Sequence, residues 1–335
     1  NMTIEEIKSL CVKYGIKPSK KFGQNFVIDE HAIEKMIEAA DFKKEDYVVE
    51  VGPGLGVLTV ELAKRVKKVL AVEVDKKMAE ALSKIAERTG DAGFAATVEI
   101  VEGDILKIPN QQLVEMLHNP SQPSTRTSSV LGMPPSPVLA DILSRGERNT
   151  NSIPSPRGRG EGEGTPSYKV VSNLPYSITS AVLRKFTEEH PRPSLVVVMV
   201  QKEVAERVCA KPGEMSVLSV AVQYYGKPEI MGYVPRGAFW PEPEVDSAIL
   251  RITITPSQSP PRLLGEQVGV DEKRLFQIVK IGFSSRRKQL QNNLSAGLKM
   301  PREQVFEALK RAGLAPRTRP QELSVENWIA LAKLL

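Results

Sequence analysis

The feature that most limits how this chain can fold is its alternation of strand-like and helix-like segments. Between residues 47 and 201, short apolar and β-branched runs alternate with amphipathic segments of helical periodicity. Such a chain builds a parallel sheet with helices on both faces. The predicted strands are 47–51, 68–74, 97–102, 170–172 and 194–201, and the predicted helices are 2–15, 31–40, 58–65, 78–87 and 181–189.

Two stretches interrupt this pattern. Residues 119–166 contain eight Pro, eight Ser and six Gly among 48 residues and no aromatic residue, so we predict a largely disordered insertion. Residues 255–262 indicate a Pro/Ser linker, after which helical patterns return over 273–283, 302–312 and 325–334. We therefore predict one domain of residues 1–255 and a small all-helical domain of residues 262–335.

Charge is distributed unevenly along the chain. The net charge is +6, and residues 271–335 hold 13 Lys and Arg against six Asp and Glu. This excess suits a polyanionic partner such as a nucleic acid, although a solvated helical surface explains it as well.

The cysteine count and the hydropathy pattern exclude some classes of protein. Cys11 and Cys209 lie far apart, which argues against a disulfide framework and against a zinc site. The longest strongly apolar run, residues 195–200, is far shorter than the ~20 residues that span a bilayer. The N-terminus also lacks the apolar stretch of a signal peptide. We therefore expect a cytoplasmic protein with no metal and no membrane contact.

A glycine-rich loop follows the first predicted strand. Gly52, Gly54 and Gly56 let the backbone turn tightly and approach a ligand. Glu73, at the end of the second strand, is placed to accept hydrogen bonds from ribose hydroxyls. Asp104, after the third strand, is placed to accept from an adenine amino group. A structural turn or an NAD site would also use such a loop, but the dinucleotide fingerprint has one more residue between its last two glycines.

A second motif, Ser172-Asn173-Leu174-Pro175-Tyr176, follows a predicted buried strand. Its amide and its ring suit the binding of a planar base that carries an exocyclic amine. If Asn173 Oδ1 and the Leu174 carbonyl accept the two amine hydrogens, the nitrogen lone pair is free to attack a methyl group, and the Tyr176 ring stacks on the base. Alignment and electrostatics then supply most of the catalysis. A strand-ending turn that contains proline explains the motif equally well.

The chain resembles the ribosomal RNA adenine dimethyltransferases over nearly its whole length except residues 119–166. The motifs occur in the family's order and are, as they stand here, KKFGQNF at 20–26, EVGPGLGVLT at 50–59, EVD at 73–75, GDI at 103–105, NLPY at 173–176 and FWPEPEVDSA at 239–248. The resemblance implies a Rossmann-like class I methyltransferase sheet with a small all-helical C-terminal domain. It also implies S-adenosylmethionine as the cofactor.

The resemblance assigns roles residue by residue. The expected cofactor-binding residues are Gln24, Asn25, Phe26, Gly52, Gly54, Gly56, Glu73, Asp104 and Asn173. The expected catalytic residues, which hold the target base, are Asn173, Leu174, Pro175 and Tyr176, with Phe239 covering the other face of that base. The roles of Gln24, Asn25 and Phe239 depend on the resemblance alone, since from the residues themselves Phe239 is a core aromatic.

Two main branches of the family differ in their target. The segment from Phe283 to Leu294 resembles the branch that modifies adjacent adenosines near the 3′ end of small-subunit rRNA. Within it, Arg286, Arg287 and Lys288 are expected to sit together on one helical turn and to meet RNA phosphates. The expected partners are therefore small-subunit rRNA and the small ribosomal subunit, bound by a monomer. The alternatives are a large-subunit methyltransferase of the macrolide-resistance type, a non-catalytic assembly factor and, more distantly, an NAD-dependent oxidoreductase.

The sequence departs from the family pattern between Asp104 and Asn173. This connection is longer than the family's because it contains the Pro/Ser/Gly-rich insertion. We expect the insertion to run over the surface and to be tolerated, because lengthening a flexible loop costs only ~0.6 kcal/mol per doubling.

Overall fold

A seven-stranded sheet positions most of the residues that the sequence singles out. The structure, a computed structural model, describes residues 3–18, 24–88, 92–118, 167–255 and 270–335. The predicted insertion at 119–166, residues 20–23 of the N-terminal motif and most of the predicted linker lie outside the described residues.

The strands are β1 Phe26–Val27, β2 Tyr47–Val51, β3 Lys68–Glu73, β4 Val98–Glu102, β5 Lys169–Asn173, β6 Leu195–Gln201, β7 Gly226–Val234, β8 Phe239–Trp240 and β9 Ser247–Ile254. The helices are α1 Ile4–Tyr14, α2 Glu30–Ala40, α3 Val57–Ala63, α4 Lys76–Arg88, α5 Ala92–Thr97, α6 Asn110–His118, α7 Thr179–Glu188, α8 Lys202–Val208, α9 Val217–Tyr225, α10 Glu272–Gly282, α11 Leu290–Leu298, α12 Arg302–Arg311 and α13 Val325–Leu334.

The strand order of the sheet is β4-β3-β2-β5-β6-β9-β7. Strands β2 to β6 are parallel, as predicted, but β9 is antiparallel to both of its neighbours. The parallel sheet predicted from the alternating segments of residues 47–201 is therefore confirmed, and β9, which follows them in the chain, is the one strand that runs in the reverse direction. The reason is the connection 235–246, which contains a 3-10 turn and the short strand β8 rather than a crossover helix. Because β8 pairs with β1 outside the large sheet, the chain re-enters the sheet in the reverse direction.

Both faces of the sheet are buried, which the apolar strand sequences explain. Along β6, Val196 and Val198 belong to one core cluster and Val197 belongs to a second cluster on the opposite face. Successive side chains of a strand point to opposite faces, so an uninterrupted run of valines indicates a strand covered on both sides.

The N-terminal helix α1 lies beside the glycine-rich loop. A capping box between Thr3 and Glu6 starts the helix. Its buried residues Ile7 and Cys11 form a small core with Leu55 of the loop. The helix thus supports the loop from outside the sheet.

The C-terminal helices enclose a separate core. Trp328 of α13 is fully buried there and packs against Phe283 with ring centroids 5.5 Å apart. The same core includes Val220 and Tyr224 from α9. Helix α9 therefore packs on one side under the C-terminal helices and on the other against α7.

The basic run Arg286-Arg287-Lys288 lies in a non-helical turn between α10 and α11, so the expected helical turn is wrong. Asn293 gives the reason, because its Nδ2 donates to the carbonyls of Gly282, at 2.6 Å, and Ser285, at 2.8 Å. These bonds satisfy carbonyls at the end of α10 and stop the helix there. The three basic side chains remain exposed.

Candidate active site

A cavity of about 280 Å³ opens at the carboxyl ends of β2, β3, β4 and β5. Loops at this edge of a parallel sheet commonly form ligand sites. Of the expected site residues, the cavity brings together those from five separate motifs. They are Gln24, Asn25, Phe26, Gly52, Gly54, Glu73, Asp104, Asn173, Leu174, Pro175 and Tyr176.

The glycine-rich loop approaches its neighbours too closely for side chains. Gly54 has φ of +58°, a left-handed conformation that favours glycine. A Cβ atom at Gly54 would lie 3.1 Å from the Phe26 ring. The main-chain N–H of Gly54 donates to Glu73 Oε2 at 3.2 Å, which joins the loop to the end of β3. Gly56 is the N-cap residue of α3 and is not among the residues that line the cavity.

Two buried carboxylates lie in the cavity wall. Glu73 is 4% exposed and accepts main-chain hydrogen bonds from Gly54 and Asp75, and burial raises its pKa. Glu50, for which the sequence predicts no role, is 2% exposed. Its Oε2 has no hydrogen-bond partner in the part of the chain that the structure describes. Burial, with a contribution from the Glu73 charge, raises the pKa of Glu50 to about 8. A buried acceptor without a partner in a residue that lines a cavity makes this carboxyl group a candidate ligand contact.

Two exposed apolar side chains border the same cavity. Val74 is 55% exposed and Leu106 is 40% exposed. Each follows a predicted ligand-binding carboxylate within two residues along the chain. Asp104 itself accepts from the Leu106 main-chain N–H at 3.0 Å. The carboxylate thus fixes the turn that places Leu106 at the rim. Exposed apolar side chains at the edge of a ligand cavity are suited to contact a planar ring.

The Asn173 side chain has a defined orientation. Its Nδ2 donates to the main-chain carbonyl of Asn25 at 3.0 Å. This bond identifies Nδ2 as the donor end, so Oδ1 is the acceptor end of the amide. The main-chain N–H of Leu174 donates to the Met199 carbonyl at 3.1 Å, which ties the motif to the end of β6.

Tyr176 is held by its hydroxyl group. The hydroxyl lies 2.7 Å from Oγ of Ser247, a fully buried residue at the start of β9. Burial raises the pKa of Tyr176, so the ring stays neutral. Pro175 lies against the glycine-rich loop, with its Cγ atom 3.4 Å from the position of a Cβ at Gly52. The sequence predicts a role for the tyrosine but none for its serine partner.

Phe239 is not among the residues that line the cavity. It is 3% exposed and packs in the core cluster that contains Val27 and Ile33. The Arg286–Lys288 turn is also separate from the cavity lining. Among the described residues, no group of His, Cys, Asp and Glu is arranged to hold a metal ion, and no described helix is long and apolar enough to cross a bilayer.

The sheet, with its one reversed strand, and the glycine-rich cavity at its edge define a class I methyltransferase. Comparison with known proteins identifies the family. A model described as ribosomal RNA adenine dimethylase matches residues 15–335. The chain therefore belongs to the ribosomal RNA adenine dimethylase family, whose methyl donor is S-adenosylmethionine.

Individual relatives agree with this assignment. The chain is 38% identical over 325 residues to a ribosomal RNA small subunit methyltransferase A of Dehalococcoides mccartyi, covering 96% of this chain and 90% of that protein. The structure of the 23S rRNA methyltransferase ErmE is similar with a TM-score of 0.59 and 25% identity, covering 93% of this chain and 99% of that one. A dimethyladenosine transferase from Plasmodium falciparum has the same fold, with a TM-score of 0.62 and 22% identity, covering 91% and 95% of the two chains.

Proposed function

We propose that this chain transfers methyl groups from S-adenosylmethionine to the N6 amines of adjacent adenosines near the 3′ end of small-subunit rRNA. The observation that carries the proposal is the orientation of Asn173, whose Nδ2 is committed to the Asn25 carbonyl. Its Oδ1 is therefore available to accept a hydrogen from an exocyclic amine. Family membership and the 38% identity to a small-subunit methyltransferase support the same reaction.

The residues of the motif act on the amine by alignment. The Asn173 Oδ1 and the Leu174 carbonyl accept the two N6 hydrogens, which draws the nitrogen toward tetrahedral geometry and directs its lone pair into the cavity. The Tyr176 ring stacks on the adenine, an interaction worth ~1–3 kcal/mol. No strong general base is required, because the nitrogen becomes acidic once it is methylated. The motif thus contributes mainly orientation and electrostatic stabilisation.

The cavity residues fit the methyl donor. S-adenosylmethionine supplies an electrophilic methyl group on a positively charged sulfur. The unmatched Glu50 Oε2 is suited to a cationic part of this molecule, and Gly52 and Gly54 present backbone rather than side chains to it. We assign Glu73 to the ribose hydroxyls and Asp104 to the adenine amine. Val74 and Leu106 cover the faces of that adenine.

The remaining expected site residues belong to the same proposal. Gln24, Asn25 and Phe26 close the cofactor side of the cavity from the N-terminal arm. Phe239 covers the second face of the target base, which requires the loop that begins at residue 235 to move, because the ring is buried in the described conformation. Arg286, Arg287 and Lys288 meet RNA phosphates from their exposed turn.

We further propose that the chain works as two domains, 1–255 for methyl transfer and 262–335 for RNA binding, and as a cytoplasmic monomer. The charge excess of residues 271–335 supports the RNA-binding role. Gel filtration with light scattering tests the monomer, and a mass of twice 36.9 kDa would exclude it.

The alternative is a methyltransferase that modifies large-subunit RNA, and the similarity to ErmE is the observation for it. The identity of 25% to that structure is well below the 38% to the small-subunit enzyme. The small-subunit target is therefore favoured. A non-catalytic assembly factor would have no need of an oriented amine acceptor.

Transfer of a labelled methyl group to ribosomal subunits that lack the modification tests these proposals. The expected result is labelled dimethyladenosine in small-subunit RNA and none in large-subunit RNA. An Asn173→Ala, Tyr176→Ala double variant is expected to lose the label. Label in large-subunit RNA alone would establish the alternative target. No label in either, with cofactor binding intact, would favour the assembly factor.

A further inference from the structure

A groove of about 430 Å³ lies between α7, α9 and α10, where the C-terminal helices meet the rest of the chain. Its walls combine positive and aromatic side chains. They include Arg184 from α7, Tyr225 from α9, and Lys273, Phe276 and Lys280 from α10. The groove is distinct from the catalytic cavity and shares no lining residue with it.

A surface path connects the groove with the catalytic cavity. A shallow depression along α7 is lined by Leu106, Ala181, Arg184 and Glu188, among others. Leu106 also borders the catalytic cavity, while Arg184 and Glu188 also line the groove. Because neighbouring depressions share these residues, a chain molecule that leaves the cavity past Leu106 has a continuous line of depressions along α7 into the groove.

The charges of the groove are not balanced. Arg184 is paired with Glu188 through two hydrogen bonds of 2.7 and 2.9 Å. Lys273 and Lys280 are exposed and form no ion pair with a carboxylate of the described ranges. They are seven residues apart on α10, which places them two turns apart on one face, ~10 Å along the axis. Two lysines at this spacing can meet separate phosphates of one strand.

Arg192 supports the groove from behind. Its side chain is 9% exposed and lies 3.9 Å from Glu272, the second acidic residue of the groove wall. Its guanidinium lies 4.2 Å over the Tyr225 ring, which in turn stacks on Phe276. Its Nε and Nη2 atoms have no hydrogen-bond partner in the described chain. The buried charge offsets Glu272, so the groove as a whole attracts anions.

We propose that this groove binds the sugar–phosphate backbone of the rRNA strand that continues from the target adenosine. Lys273 and Lys280 contact its phosphates, and the path along α7 carries the strand between the two sites. Such contacts carry no sequence information, but they fix the register of the strand so that the target base reaches the cavity. This inference rests on the proposed function, because it takes rRNA as the substrate.

The test is the double variant Lys273→Gln, Lys280→Gln, assayed for methyl transfer to small subunits over a range of salt concentrations. We expect the KM for subunits to rise at least ten-fold, while the rate at saturating subunits and the affinity for S-adenosylmethionine stay unchanged. The dependence of log KM on log salt is expected to become shallower by ~1.4–1.8, since each phosphate contact contributes ~0.7–0.9 to the slope.

The matched control is Lys43→Gln, Lys44→Gln. These two lysines are also exposed and precede β2, at the edge of the sheet opposite to the catalytic cavity. The control removes the same charge, so it is expected to leave both KM and the salt slope near wild type. An unchanged slope in the groove variant, or an equal change in the control, would overturn the proposal. If the wild type methylates no rRNA, the proposed function fails, and binding of labelled subunits by the same variants then decides whether the groove holds RNA.

Discussion

The side-chain amide of Asn173 donates from Nδ2 to the main-chain carbonyl of Asn25 at 3.0 Å. The two residues are 148 positions apart and belong to two different motifs of the family. The bond orients the Asn173 amide, which is proposed to hold the target amine. Its acceptor, Asn25, belongs to the N-terminal arm that is proposed to hold the cofactor. Binding of the two substrates is therefore expected to depend on one shared contact.

Asn173→Asp tests this contact with almost no change in side-chain shape. The aspartate lacks the donor and places a carboxylate against the Asn25 carbonyl, so the acceptor is no longer held in position. We expect the methyl-transfer rate constant to fall by ~100-fold or more, the cost of losing one oriented group in an active site. Single-turnover kinetics with saturating cofactor measures it. Asn292→Asp is the control, because the Asn292 Oδ1 accepts from Arg302 and tolerates the charge. A rate within three-fold of wild type would contradict the proposed role.

Two substitutions of Tyr176 separate the contribution of its ring from the contribution of its hydroxyl group. Tyr176→Phe removes the 2.7 Å contact with Ser247 and keeps the ring, so we expect kcat/KM to fall by ~10-fold or less. Tyr176→Ala also removes the stacking, so we expect its kcat/KM to fall by a further ~5- to 150-fold, which corresponds to ~1–3 kcal/mol. Steady-state assays of both variants give the comparison. Equal losses in the two would mean that the ring does not stack on the base.

Glu50 is expected to make stability depend on pH. Its pKa is about 8 in the folded chain against ~4.3 in an unfolded one. Between these values the folded state holds the proton more tightly, so this group lowers stability as the pH rises from about 4.5 to 8. The total is on the order of 3–5 kcal/mol. Glu50→Gln removes the titration, and its advantage in free energy of unfolding over wild type should grow from pH 5 to pH 8. Urea denaturation without cofactor measures it, and a difference independent of pH would contradict the shift.

Gly56 is the glycine of the loop where a side chain meets most resistance. Its φ is +85°, and a Cβ atom would lie 2.4 Å from Leu82 Cδ1. Gly56→Ala is expected to destabilise the chain by ~2–4 kcal/mol, from backbone strain and overpacking together. Gly237→Ala is the control, since a Cβ there has no atom within 4 Å, and its effect should stay within ~0.5 kcal/mol. Thermal unfolding of both variants tests the difference, and two equal values would show that the loop relaxes freely.

The predictable part of the fold is the part that depends on local pattern. Strand β2 and helix α13 agree with prediction at both ends, because an apolar β-branched run and a 3.6-residue period are local signals. The direction of β9 is not local. It depends on where β8 pairs, and β8 joins β1 more than 200 residues earlier.

The candidate site divides in the same way. The glycine loop, Glu73 and the Asn173 motif are recognisable because each lies at the carboxyl end of a strand. A role for Glu50 could not be predicted from the sequence, because that role depends on the burial of its side chain and on the missing hydrogen-bond partner of Oε2. A role for Ser247 could not be predicted either, because it depends on a hydrogen bond to Tyr176, which is distant in the sequence.

The position of β9 has a consequence for the newly made chain on the ribosome. This strand is synthesised after β7 yet lies between β6 and β7, so β6 exposes an unpaired edge until residue 254 has emerged. Ser247, the anchor of Tyr176, arrives with the same strand. A nascent chain that already contains every cofactor-binding residue named above thus lacks the support for its base-stacking ring. The ring of Tyr176 therefore gains its support at the same time as the open edge of β6 is protected from pairing with another chain.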